Sequence, residues 1–248
     1  MWNNPRLLNA LAGTLAAAAL FGLLIAGVQW LLRSSLFPVH EVSVTGHLAH
    51  TGRDEVTRAT QGRIRGNFFA VDLAELRAAL EALPWVRSVR VRRVWPDRLE
   101  VTLEEHVPLA HWGETALVNT FGERFDARSE APLPRLDGPE GTATEVASRY
   151  LRFGVILAPL GLKLKQVELT PRFAWRLLLD SGLHIELGRD VDAHPAEVRL
   201  ARFAAAYPQT LAKLQRHHDY VDLRYPNGFA LRVPGIESEA PVDPGAKG

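Results

Sequence analysis

With 248 residues, 23% of them charged and 47% hydrophobic, and a formal net charge of +1, the chain has an ordinary globular balance. It lacks the strongly basic character of a nucleic-acid binder. It contains no cysteine, which excludes disulfide scaffolds, thiolate chemistry and Cys-ligated metals together.

Between Arg6 and Arg33 no side chain is charged. Residues 7–32 make roughly 39 Å of helix at the usual rise, enough to cross a hydrocarbon core about 30 Å thick. Trp30 has the interfacial character expected at a membrane boundary. The expectation is a short cytoplasmic N-terminus, 1–6, one transmembrane helix, 7–32, and everything after Arg33 outside the cytoplasm. A cleaved signal peptide is the competing reading. It would need a shorter apolar core followed by a small-residue cleavage site. Here the alanines at 16–19 lie inside the apolar stretch and residues 21–25 continue it, which favours an uncleaved anchor. Ala18, Gly22 and Ala26 fall four apart, a spacing that lets helices approach closely, although alanine-rich spans also produce it by composition.

Residues 37–106 read as β-α-α-β-β. Val42 and Val44 alternate with Glu41, Ser43 and Thr45, the period of a half-buried strand. Thr51 with Asp54 resembles a capping pair for a short helix through Ala59. Asp72 with Glu75 repeats the signal and opens a helix whose stripe is Leu73, Leu76, Leu80 and Leu83, stopped by Pro84. Two strands follow, joined at Trp95-Pro96-Asp97. Val89 and Val91 alternate with Arg90 and Arg92; Leu99, Val101 and Leu103 alternate with Glu100, Thr102 and Glu104. The basic run Arg87, Arg90, Arg92, Arg93 and Arg98 invites a polyanion site. The matching acids on the neighbouring strand favour a solvated face of cross-strand ion pairs, with lipid headgroups or wall polymers as other contacts.

Residues 107–233 continue without a Gly/Ser linker. Short strands are expected at 109–112 and 116–119. Thr142 and Glu145 cap a helix carrying Val146, Tyr150, Phe153 and Leu157, ended by Gly161. Strand-like runs at 162–169, 175–179 and 184–187 follow. Asp192 precedes a helix from Pro195 through Tyr207. The last strands, 220–224 and 229–233, are split by Pro226-Asn227-Gly228, a strong hairpin signal. Short connections favour a mostly antiparallel sheet with two helices on it. The stretch 234–248 is Pro, Gly and charge without periodicity, and is expected to be a flexible tail.

Several multi-residue blocks carry a resemblance. In the first module they are Asn67-Phe68-Phe69-Ala70-Val71-Asp72, Leu83-Pro84-Trp85-Val86, Arg92-Arg93-Val94-Trp95-Pro96-Asp97 and Glu105-His106-Val107-Pro108. In the second they are Trp112, Asp137-Gly138-Pro139-Glu140-Gly141, Leu187-Gly188-Arg189, Leu200-Ala201-Arg202-Phe203 and Tyr220-Val221-Asp222-Leu223-Arg224-Tyr225. In this order they resemble the FtsQ/DivIB family of bacterial division proteins. The resemblance implies an α+β chain: a single transmembrane helix, a POTRA domain at 37–106 and an FtsQ-type β domain at 107–233. It implies a divisome scaffold of the inner membrane, concentrated at the septum, that links early and late division proteins. FtsB and FtsL would bind through the β domain. Upstream contacts such as FtsK would go through the POTRA module, and the septal wall synthesis proteins FtsW and FtsI are further implied partners. The N-terminus is short for this family, so contacts through a longer cytoplasmic tail are not expected.

The histidines prompt a search for catalysis. His217-His218-Asp219 is the densest cluster, yet adjacent residues point apart on a helix or strand. Glu104-Glu105-His106 alternates along a strand and reads as part of the ion-paired sheet edge. No Gly-x-Ser-x-Gly, His-Glu-x-x-His or phosphate-cradling loop occurs. No enzyme activity, cofactor, metal, small-molecule substrate or nucleic acid is expected. An envelope hydrolase stays a minor alternative, because paired carboxylates meet only in the fold. A POTRA-containing secretion or assembly component is the other alternative. It would call for a β-barrel or repeated POTRA units, which the sequence lacks.

The expected partner surface is the last strand-like run, Gly228, Phe229, Ala230, Leu231, Arg232 and Val233, with Arg224 and Tyr225 beside it. Nothing later in the chain can pair with its outer side if it lies at a sheet edge, and such an edge accepts an added strand. Tyr225 would be an aromatic anchor and Arg224 a bidentate grip on a carboxylate, unless Tyr225 packs internally and Arg224 pairs within the domain. The resemblance implies the same surface for FtsB and adds Arg172 more weakly.

Overall fold

The computed structural model describes residues 5–34, 37–64, 67–191, 194–210, 219–225 and 228–232. The chain divides into two compact units, Met1–His106 and Val107–Gly248. Among the expectations above, Asp192, the 226–227 part of the last turn, His217, His218, Val233 and the 234–248 tail lie outside the described residues.

The first unit opens with α1, Pro5–Arg33. Its stretch Leu8–Leu31 is long and apolar enough to cross a membrane, and none of its most apolar window is buried. The strands β1 (Glu41–Thr45), β2 (Val86–Val94) and β3 (Arg98–Glu105) form a sheet in the order β1-β3-β2. Strand β1 runs parallel to β3, and β2 antiparallel to it. The parallel pairing requires a crossover, which α2 (Arg53–Thr60) and α3 (Leu73–Glu81) supply. Asp72 caps α3, its Oδ1 accepting the N–H groups of Ala74 and Glu75 at 2.9 and 3.1 Å. Leu76 and Leu80 are buried against Val89, Leu99, Val101 and Leu103, with Leu73 and Leu83 at the margin. This is the β-α-α-β-β order expected from periodicity.

Two expectations need correction. The cap of α2 is Gly52 with Glu55, whose Oε2 accepts the Gly52 N–H at 3.3 Å, and not Thr51 with Asp54. Thr51 is instead drawn to Glu105 on β3. That carboxylate accepts the backbone N–H groups of Ala49, His50 and Thr51 at 2.8, 3.1 and 2.6 Å, and its side chain is 6% exposed. Glu105 is thus an internal strap and not part of a solvated edge. The cross-strand pairs do form at Arg92–Glu100 and Arg87–Glu104, both 2.8 Å, and Arg98 reaches Glu41 at 2.9 Å. Arg93, however, donates to the carbonyls of Phe68 (2.8 Å) and Val71 (2.6 Å) and fastens the loop before α3.

In the second unit, β4 (Pro108–Trp112), β5 (Ala116–Asn119), β6 (Arg124–Phe125) and β7 (Arg135–Asp137) precede α4 (Ala143–Leu157). After α4 come β8 (Leu164–Leu169), β9 (Ala174–Leu179), β10 (His184–Arg189), α5 (Ala196–Ala206), β11 (Tyr220–Asp222) and β12 (Ala230–Arg232). The nine strands make one sheet in the order β12-β11-β10-β9-β8-β7-β4-β5-β6. Hairpin neighbours are antiparallel; β7‖β8 and β10‖β11 are parallel because α4 and α5 carry the chain back across the sheet. The helices bury Val146, Phe153, Leu157, Leu200 and Phe203 against Trp175, Leu177, Ile185 and Val221. Arg149 ion-pairs with Asp190 and with Glu197, and lies 5.4 Å above the Trp175 ring. Gly161 follows α4 and a short 3-10 turn in the left-handed conformation, φ 68°.

Strands β6 and β7 were not expected from the sequence. Both caps also differ in detail. The Thr142 hydroxyl donates to the Pro139 carbonyl at 2.7 Å and does not cap α4. At α5 the N-terminal N–H of Ala196 is taken by Asp190 Oδ1 at 2.7 Å.

Candidate partner-binding edge

Strand β12 is the outermost strand of the larger sheet, paired on one side through Tyr220↔Arg232, Val221↔Leu231 and Asp222↔Ala230. Alternation sends Leu231 inward while Ala230 and Arg232 are exposed. Phe229 packs inward as well, edge-on to Phe203 with ring centroids 5.8 Å apart. Phe229 and Leu231 thus lean on the core with their side chains partly buried. The outward elements are Gly228, Ala230, Arg232 and the strand's backbone edge, which pairs with no other strand among the described residues. Arg232 lies over the Tyr220 ring at 5.5 Å.

Tyr225 is 55% exposed and does not pack internally. Arg224 does pair within the unit. Asp222, buried, accepts Arg224 Nε at 2.9 Å and Nη2 at 2.6 Å, and also the Arg224 backbone N–H at 3.0 Å. Hydrogen bonds from Arg224 outweigh burial and hold the Asp222 carboxyl below its ordinary 3.8, while the same bonds and the adjacent charge raise the Arg224 guanidinium. Burial, with the charges of Asp222 and Glu186, raises the Tyr220 phenol. The expected free grip is therefore an arginine already held from one side. A guanidinium has five N–H donors, and Asp222 takes only Nε and Nη2.

The stem of Arg224 crosses Gly188, where β10 breaks register between Glu186 and Gly188. Gly188 has φ +74°, and a Cβ there would stand 2.8 Å from Arg224 Cγ, so only glycine leaves the arginine room. Beside it opens a hollow of about 530 Å³ lined by Arg172, Arg176, Arg189 and Arg224 against Glu168 and Glu186. Arg176 is engaged by Glu186 at 2.9 Å. The structure thus brings Arg172 and Arg224, 52 positions apart in their numbering, to one cationic recess. Sequence reasoning missed Asp222 and Gly188 as the residues that hold Arg224. The Asp222-x-Arg224 spacing, which puts both side chains on one face of an extended segment, was the available signal. Among the described residues no cluster of three His, Asp or Glu side chains could hold a metal.

Residues 37–106 match the family model for the POTRA domain, FtsQ-type, and residues 110–224 that for the cell division protein FtsQ/DivIB, C-terminal. The chain belongs to the FtsQ/DivIB cell-division family. It is 43% identical over 250 residues to the cell division protein FtsQ of Burkholderia pseudomallei, covering 100% of both chains. It is 41% identical to that of Nitrosospira multiformis, over 94% of this chain and 99% of the relative. To that of Neisseria gonorrhoeae it is 36% identical, over 96% and 100%. FtsQ/DivIB membership fits the POTRA unit, the sheet-rich second unit with its two helices, and the single apolar N-terminal helix. The C-terminal family model ends at Arg224, so Tyr225 and β12 lie just past its matched residues.

Proposed function

We propose that this chain is a non-enzymatic divisome scaffold of the bacterial inner membrane. In this reading α1 stays as the anchor, the N-terminus is cytoplasmic and both folded units are periplasmic, concentrated at the septum. The scaffold links early and late division proteins. The POTRA unit serves upstream contacts such as FtsK, the second unit binds FtsB and FtsL, and FtsW and FtsI are engaged within the same assembly.

The observation that carries this reading is that β12, the edge strand of the larger sheet among the described residues, lies on the same unit as the Arg172–Arg224 recess. A partner strand added to β12 satisfies its outward N–H and C=O groups. An acidic side chain following that strand finds the remaining Arg224 donors, and the exposed Tyr225 ring supplies area. The arrangement offers donors, an edge and an aromatic, the parts of a binding surface.

The test is to measure FtsB binding and thermal stability side by side for Tyr225→Ala and Ala230→Pro. Binding is expected to drop sharply in both, with the melting temperature little changed. Wild-type binding in both would remove β12 from the account. A periplasm-dependent reporter fused after Arg232 should be active; activity of a cytoplasmic reporter there would overturn the topology.

A further inference from the structure

At one end of the first unit, three separate stretches of chain converge. Asn67, buried, donates its Nδ2 hydrogens to the carbonyls of Leu31 (2.5 Å) and Ser34 (3.0 Å), the last residue of the apolar span and the residue just past α1. Its Oδ1 accepts the N–H groups of Phe69 and Ala70 at 3.0 and 2.9 Å. All four bonding positions of the amide are used, so the loop is tied directly to the end of the span. The Phe68 N–H donates to Phe37 O at 2.7 Å, and the His40 N–H donates to Asp97 O at 3.0 Å. The second bond brings the β2–β3 turn, 95–97, to this same end. Arg93 joins turn and loop through its bonds to Phe68 and Val71.

On this end the large rings point out. Trp95 is 74% exposed and Phe69 41% exposed, and Phe69 stands edge-on to Phe37 with centroids 5.6 Å apart. A core has no use for such rings, and the loop could have been built from polar residues. Among the described arginines here, Arg92 is engaged by Glu100, Arg98 by Glu41 and Arg93 by carbonyls. Among the described residues the exposed surface of the rim is therefore chiefly aromatic.

We propose that this rim sits in the headgroup layer of the bilayer that α1 crosses, with Trp95 and Phe69 as interfacial anchors that fix how the first unit stands on the membrane. The proposal rests on α1 being a membrane span. The occupant follows from continuity: Leu31, where the hydrocarbon stretch stops, is one hydrogen bond from the Phe68–Phe69 loop. Trp is enriched at that depth because its ring is apolar with one polar N–H. With Arg92 and Arg98 paired to acids, the rings are expected to carry the binding and anionic lipid to add little.

The absence of cysteine makes the test direct. Single substitutions Trp95→Cys, Ala82→Cys and Gly13→Cys in the full chain would each carry an environment-sensitive fluorophore. Ala82 is exposed at the far end of β2, a strand of nine residues spanning roughly 26 Å, and Gly13 lies within the span. The labelled chains go into phosphatidylcholine vesicles containing nitroxide lipids, with the nitroxide on the headgroup or deep in the acyl chain. The expected result is deep quenching at 13 and headgroup quenching at 95 several-fold stronger than at 82. It should be repeated with Phe69→Cys in place of Trp95→Cys, and should not change when phosphatidylglycerol is added. Deep quenching at 13 with equal headgroup quenching at 95, 69 and 82 overturns the rim while leaving the anchor intact. No deep quenching at 13 overturns both.

Discussion

Asp222 holds Arg224 through both Nε and Nη2, at 2.9 and 2.6 Å, across a single intervening residue. The acid is buried and the base is exposed, so the pair orients a guanidinium at the surface and contributes only modestly to stability. Asp222→Asn should lower stability by about 1 kcal/mol, measured by denaturant unfolding of the soluble portion, while weakening binding of the proposed partner, FtsB, by more than that. Binding unchanged from wild type would mean that the held orientation is irrelevant to the partner.

The Glu105 strap gives the first unit an acid sensitivity. Burial alone would raise this carboxyl, but the hydrogen bonds from Thr51, Ala49 and His50 outweigh it and hold it below 4.5. Because the folded value is the lower one, the stabilisation is complete above about 4.5 and is lost as pH falls through the folded value. Asp222 behaves the same way below its ordinary 3.8 in the second unit. Glu105→Gln should cost the first unit roughly 2 kcal/mol at pH 7 and flatten the fall in its stability as pH drops below about 4.5. Unfolding curves of the variant that keep the wild-type pH slope would refute the assignment.

Gly188→Ala combines a strained φ with a collision at Arg224 Cγ. A loss of roughly 1–2 kcal/mol is expected. The Arg224 side chain should also move, visible as a shifted guanidinium signal in NMR. Gly113→Ala, also at positive φ but with open space around its Cβ, is the control: it should show the strain without the movement.

Phe229 and Ala230 are adjacent and should respond oppositely. Phe229→Ala removes the ring against Phe203 and should lower stability by about 2 kcal/mol, half the loss for a fully buried phenylalanine. Ala230→Lys, on the outward face, should leave the melting temperature within a degree or two but reduce partner binding. Equal stability losses would show that Ala230 is not outward in solution.

Much of the fold was legible because its residues alternate against water on one side. Strands β1, β2 and β3 and helix α3 follow directly from Val42, Val89, Leu99 and the Leu76–Leu80 stripe. Strand β7 was not legible, since three residues with a single buried Leu136 hold no period. The cap expected at Thr51 did not form because its N–H goes to Glu105, 54 residues away, which no local pattern contains. At the edge, Tyr225 and β12 could be read from position in the chain. The inward turn of Phe229 and Leu231 depended on pairing register with β11, which sequence does not give.

From β7 onward, every new strand of the larger sheet docks on the one made just before it, ending with β12. A chain that emerges from its N-terminal end can therefore zip this sheet outward without waiting for distant segments, each step closing a short loop or one helical crossover. Among the described residues the growing rim is at each stage the newest strand, and β12 is the last of them. Assembly with a partner strand would then be one more step of the process that folded the sheet, carried out by another molecule.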